Sequence, residues 1–274
     1  MANRHFRVWR GDHSGGDFKD YNVEVSEGMV VLDVLHKIQA EHAGDLAIRW
    51  NCKAGKCGSC SMEINGRPRL GCMTRMNSFD PTATITVQPM KAFPVVRDLV
   101  TDVSWNYAQN KRIAPFKPKA PEADGSHRMY QDDVDRVQEF RKCIECFMCQ
   151  DTCHILRDRG KQSEFIGPRF MIRVAGLEMN PLDDDDRVPE LRHEFGSGMC
   201  NITRCCTEVC PEGINITDNG IIPMKERVVD RYFDPVLIAA RALLGRKKRT
   251  KPKGTHEVQE VLEVPRPHEV PGTQ

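Results

Sequence analysis

With 274 residues and a formal net charge of +1, from 40 basic against 39 acidic side chains, the chain lacks the global field that draws nucleic acid. Its length suits two modest domains, each burying a core of its own. The twelve cysteines fall in three dense groups and are absent elsewhere, which argues against the scattered disulfide framework of a short secreted protein.

The opening Met1-Ala2-Asn3-Arg4-His5-Phe6 has no apolar h-region, and no apolar run approaches the roughly 18–20 residues that span a bilayer. The thiols are therefore expected in a reducing compartment, as metal ligands. In chain order, residues 4–10 and 21–25 alternate apolar and polar side chains as half-buried strands do, around a turn holding Gly11, Gly15 and Gly16. Residues 30–38 carry apolar side chains at helical spacing. Asn65-Gly66 marks a hairpin turn, and residues 83–87 read as a closing strand. Together these predict a small α+β domain over 1–107.

Val95, Val96, Leu99 and Val103 predict a helix within 93–111, leading out of that domain. Pro115, Pro118, Pro121 and Gly125 predict a linker, taken as 108–130. Helices are expected over 132–142, 168–179, 187–194, 217–232 and 235–244, an all-α domain of 131–245. The run Asp183-Asp184-Asp185-Asp186 reads as a solvated loop. Residues 246–274 form a charged, proline-containing tail. The stretch Arg241 to Lys253 holds seven basic residues and no acidic one, which suits contact with anionic headgroups as well as it suits an ordinary solvated tail.

The first thiol group is Cys52-x4-Cys57-x2-Cys60, with Cys72 after eleven residues. A plant-type [2Fe–2S] cluster needs three thiolates on one loop and a fourth from elsewhere, and Gly55, Gly58 and Gly71 let the backbone approach the sulfurs. A four-cysteine zinc site prefers paired C-x2-C hooks. The second group, Cys143-x2-Cys146-x2-Cys149-x3-Cys153, is the bacterial ferredoxin run, with His154 where a proline usually follows. In two-cluster ferredoxins the fourth cysteine of that run serves the other cluster. The third group, Cys200-x5-Cys206-x3-Cys210-Pro211, supplies the crossover. Cys143, Cys146, Cys149 and Cys210 make a [4Fe–4S] set. Cys153, Cys200 and Cys206 make a set of three with Thr203 in the fourth place, which favours [3Fe–4S]. Cys205 is left over, by default a buried spectator thiol, with a one-residue register change that would exchange it for Cys206 as the alternative.

These groups in this order, with Asn51 to Cys60 and Phe165-Ile166-Gly167-Pro168, closely resemble the iron–sulfur subunit of succinate dehydrogenase and fumarate reductase, from about residue 4 to about residue 240. The resemblance implies an N-terminal β-grasp plant-type ferredoxin domain and an all-α bacterial-type two-cluster ferredoxin domain. It also implies a partner flavoprotein carrying FAD, one or more membrane-anchor subunits, and quinone as acceptor. The place implied is the cytoplasmic face of the bacterial inner membrane, held peripherally. Electrons would pass from flavin to the two-iron, the four-iron and then the three-iron cluster. Relatives commonly carry proline and tryptophan after the second group and histidine after the first cysteine of the third. This chain has His154-Ile155-Leu156-Arg157-Asp158 and Asn201 there. His154, Asn201 and Thr203 are the quinone-proximal candidates, and menaquinone is the expected quinone. A zinc-stabilised interaction module is the alternative of another class, and a colourless protein would favour it. No nucleophile–base pair, phosphate loop or dinucleotide fingerprint occurs, so the chain alone is not expected to turn over substrate.

Overall fold

The computed structural model describes residues 2–243, and the tail expected over 246–274 lies outside the described residues. Alternating residues build the first hairpin: β1 (Ala2–Asp12) pairs antiparallel with β2 (Gly15–Val25), and Phe6, Val8 and Val23 point inward. α1 (Val31–Glu41) begins where the Asp33 carboxylate accepts the Val30 N–H at 3.1 Å. Its spacing puts Val31, Val34, Leu35 and Ile38 on one face, packed across the sheet. Asn65 and Gly66 both take positive φ, the geometry of a tight hairpin turn between β3 (Ser61–Ile64) and β4 (Arg67–Leu70).

β5 (Ile85–Gln88) runs parallel to β1 and antiparallel to β3. Two short strands, β6 (Val95–Arg97) and β7 (Val100–Thr101), close the order β4-β3-β5-β1-β6-β7, with β2 on β1. A helix across a mixed sheet is the expected β-grasp arrangement.

The helix expected across 93–111 forms only in its second half, as α2 (Ser104–Arg112). Asp98, at φ 49°, turns the chain between β6 and β7, and its buried carboxylate accepts from Gly11 N–H (3.0 Å), Ala47 N–H (2.8 Å) and Arg10 Nε (3.0 Å). Three such bonds outweigh a local helical preference of about a few tenths of a kcal/mol per residue.

The second region is helical: α3 (Gln131–Gln138), α4 (Met148–Asp151), α5 (His154–Arg157), α6 (Pro168–Glu178), α7 (Val188–His193), α8 (Cys205–Glu208), α9 (Ile222–Tyr232) and α10 (Pro235–Leu243). A π-helical turn, Ile216–Ile221, runs into α9 where sequence spacing predicts a single helix. Phe165, Phe170, Ile172, Val174, Leu191 and Met224 fill the core between them.

The four-aspartate run is not a solvated loop. It cages Arg187, which is 1% exposed and pairs with Asp183 at 2.9 Å and Asp185 at 3.5 Å. Arg187 also donates to the carbonyls of Ala114 (3.1 Å) and Pro115 (2.7 Å), and Lys119 N–H bonds Leu182 O at 2.9 Å. A buried guanidinium needs this many acceptors, and the proline-rich segment is the strand of chain that supplies two of them. That segment is therefore strapped to the helical region.

The two regions share a third apolar cluster, in which Leu32, Cys60, Leu70 and Cys72 meet Cys146 and Met148. Beside it Glu63, fully buried on β3, pairs with Arg157 of α5 at 2.7 Å. Ala92 N–H bonds the buried Asp151 carboxyl at 2.9 Å, and burial together with the nearby Glu63 holds that carboxyl well above the usual range.

Candidate metal centres

Cys52, Cys57 and Cys60 of the first thiol group sit on the loop between α1 and β3, and Cys72 follows β4. Cys52 is exposed, Cys57 half-buried, and Cys60 and Cys72 buried. Backbone N–H groups point at the sulfurs: Ala54 and Lys56 donate to Cys52 Sγ at 3.4 Å each, and Cys72 N–H donates to Cys60 Sγ at 3.4 Å. Burial acts to raise the Cys57 thiol, but hydrogen bonds from Ser59 and from the Cys52 and Ser59 backbone bring it down to about 6. Burial pushes Cys60 up to about 12, and the Cys72 and Cys57 charges add to the rise. The loop and the turn after β4 bring these four thiols near one another.

Cys143, Cys146, Cys149 and Cys210 line one small apolar cavity, with Ile172, Ile214 and Arg169 among its other walls. Cys143 follows a 3-10 turn, Glu139–Lys142, and Cys149 lies on α4. Glu145 and Phe147 take positive φ between them, so the backbone wraps the cavity tightly. Ile214 N–H donates to Cys210 Sγ at 3.4 Å. Burial pushes the Cys146 thiol up to about 12 and raises Cys143 and Cys149, and the charges of neighbouring thiols push the same way. Cys210, distant in sequence, joins this set and not the third.

Cys153 and Cys206 are buried and Cys200 half-buried, and the charges of Cys200 and Cys205 bear on both Cys153 and Cys206. Burial, the larger cause, takes Cys153 to about 12 and Cys206 to about 11. Cys206 Sγ lies 3.4 Å from the Thr217 hydroxyl on the π-helical turn, and Lys225 Nζ donates to the carbonyls of Ser197 and Cys200 at 2.9 Å each.

Cys205 departs from the expected buried spectator. It is half-buried, 3.4 Å from Thr203 Oγ1, and faces the same thiols. Cys206 is the deeper of the two. The candidates for the quinone end divide: Asn201 and Thr203 are exposed, while His154 Nε2 is buried and has no hydrogen-bond partner among the described residues. Ile202 between them is 39% exposed at φ 63°, a strained setting for a β-branched residue.

Iron–sulfur clusters fit this donor set. Buried thiols that raise one another's pKa bind as thiolates only beside a compensating cation, and the sulfur-directed N–H groups suit cluster sulfur. A Cβ built on Gly58 (φ 68°) would lie 2.6 Å from Cys146 Cα and 2.9 Å from its Cβ. The loop of the first site is therefore pressed, backbone to backbone, against the second. α4, which bears Cys149, packs against α8, which bears Cys206, so the second and third sites adjoin. Sequence reasoning found every thiol but missed Arg169, Thr217 and Lys225, whose positions depend on tertiary packing. The only hint lay in the family-like stretch that ends just before Arg169.

Comparison with known proteins bears on this geometry. Residues 5–107 match a 2Fe–2S iron–sulfur cluster binding domain model and residues 139–214 a 4Fe–4S dicluster domain model. The fumarate reductase iron–sulfur subunit of Mycobacterium tuberculosis is 31% identical over 74% of this chain and 82% of its own length. The succinate dehydrogenase iron–sulfur subunit of Paracoccus denitrificans is 29% identical over 83% and 89%. A longer relative, an uncharacterized iron–sulfur protein of Methanococcus maripaludis, is 30% identical, and this chain spans 48% of it. A chain in the solved Mycobacterium smegmatis Sdh1 complex in the apo form is 59% identical with a TM-score of 0.83, covering 86% of this chain and 99% of that one. With its sheet-then-helix order and its three thiol sites, this chain belongs to the family of succinate dehydrogenase and fumarate reductase iron–sulfur subunits.

Proposed function

We propose that this chain is the electron-transfer subunit of a succinate:quinone oxidoreductase, passing electrons from the FAD of a flavoprotein subunit to quinone, with menaquinone as the acceptor. The observation that carries this reading is the row of three adjoining thiol sets, the first reaching the surface at Cys52 and the other two held among the short helices of the second region. When bound, the clusters supply three one-electron stations: [2Fe–2S] on Cys52, Cys57, Cys60 and Cys72; [4Fe–4S] on Cys143, Cys146, Cys149 and Cys210; and [3Fe–4S] on Cys153, Cys200 and Cys206.

The protein's own work is positional and electrostatic. Ala54, Lys56 and Ile214 direct N–H groups at sulfur, and the Thr217 hydroxyl sits against Cys206. The apolar core around Cys149, Cys153 and Cys206 keeps water from the inner stations. Asn201, Thr203 and the buried His154 are the residues proposed to stand nearest quinone. Among the described residues no helix is long and apolar enough to cross a membrane. The proposed attachment is peripheral, through anchor subunits on the cytoplasmic face.

Low-temperature EPR and elemental analysis of the anaerobically purified complex test the reading. Three distinct cluster signals with acid-labile sulfide are expected, and zinc without sulfide would overturn it in favour of a structural module. The ratio of succinate oxidation to fumarate reduction in the same preparation reads the working direction.

A further inference from the structure

Arg169 is the one fixed positive charge among the walls of the four-thiolate cavity. It is 6% exposed and stands in the first turn of α6, which also sends Ile172 into the wall. Its placement is built. The buried Gln150 donates to Ile166 O at 3.0 Å and accepts the Arg169 N–H at 3.4 Å, and a Cβ on Gly167 would lie 1.9 Å from that Gln150 oxygen. Only glycine at 167 lets the helix start here.

The guanidinium reaches out at one end, where Nη2 meets Glu145 Oε1 at 2.6 Å. At the other end Nε is buried and finds no hydrogen-bond partner among the described residues. A buried cationic N–H left without a partner is costly, so an acceptor in the cavity is expected. Burial raises the Cys143 and Cys149 thiols while the Arg169 charge pulls both the other way, so guanidinium and sulfurs lie within electrostatic reach.

We propose that Arg169 sets the reduction potential of the four-iron station by presenting its buried Nε–H and positive charge to the cluster's sulfur, with Glu145 as the opposing charge that limits the effect. The inference rests on the electron-transfer reading above. Reduction adds one electron, received from the two-iron station, and one negative charge to the site; no bond forms or breaks. A fixed positive charge in a low-dielectric wall favours the reduced state, raising the potential. Glu145 is 46% exposed in its side chain, so solvent screens it and its opposing effect is smaller.

The test is EPR-monitored redox titration of the purified complex carrying Arg169→Gln, Arg169→Lys or Glu145→Gln. In Arg169→Gln the four-iron midpoint should fall by a tenfold change in the reduction equilibrium, about 59 mV for one electron, or more. The two-iron and three-iron midpoints should stay in place, and Arg169→Lys should restore most of the fall. Glu145→Gln should move the four-iron midpoint upward by less. An unmoved four-iron midpoint in Arg169→Gln overturns the proposal. If that variant fails to assemble its four-iron cluster, Glu145→Gln decides, and an unmoved or lowered midpoint there overturns it. Failure of the wild-type complex to show any cluster would instead sink the electron-transfer reading itself.

Discussion

The two-iron loop and the four-thiolate cavity solve one problem in opposite ways. At the first site the thiols are partly in water, and hydrogen bonds from Ser59 and the loop backbone hold Cys57 near 6. At the second the thiols are withdrawn into an apolar pocket, which takes Cys146 to about 12, and the compensating charge comes from a buried arginine. A site near the surface can rely on dipoles and solvent. One in the interior must carry its own charge, because the low dielectric that magnifies attraction also magnifies an uncompensated thiolate.

The largest expected effect comes from breaking the crossover. Cys210→Ala should remove the four-iron EPR signal entirely while the two-iron signal survives; loss of the three-iron signal instead would mean that the thiol sets are wrongly divided. Next comes the joint between the regions. Arg157→Met leaves Glu63 buried without its cation, a change worth about 3–5 kcal/mol of stability, which chemical denaturation of the complex would read.

Gly58→Ala sharpens the comparison at the point where the two sites touch. The left-handed backbone and the contact with Cys146 should cost about 1–3 kcal/mol. The magnetic interaction between the two-iron and four-iron signals should weaken with both clusters still present. The smallest effect is chemical. After anaerobic cluster removal, alkylation should reach Cys57 first, at a rate that rises through pH 6 as its thiolate forms, while Cys60 and Cys146 stay unmodified at pH 7. Mass spectrometry of the labelled peptides reads the order.

Much of this was legible in the sequence because it depends on spacing. The cysteine intervals name the thiol sets, Asn65-Gly66 places a hairpin, and the 3.6-residue pattern finds α1, α6 and α9. Features created by distant partners were not legible. Asp98 draws three donors from residues 10, 11 and 47, turning an expected helix into two strands. Four consecutive aspartates look hydrophilic until Arg187 is found among them. The short helices α4, α5 and α8 are one turn each, too brief for a period to show. Arg169 has no signal of its own beyond the stretch that precedes it, since its meaning lies in a cavity made by residues from 143 to 216.

The missing methyl at Gly58 also bears on how the chain can move. Carriers that shuttle a redox group between two docking positions slow down in viscous solvent, because a domain must sweep through the medium on each cycle. Here one glycine's bare backbone rests on the main chain of the next station, and a buried ion pair clamps the same seam. The gap is therefore a fixed dimension of the fold, and throughput between the first two stations is set by a solid contact that glycerol should leave untouched.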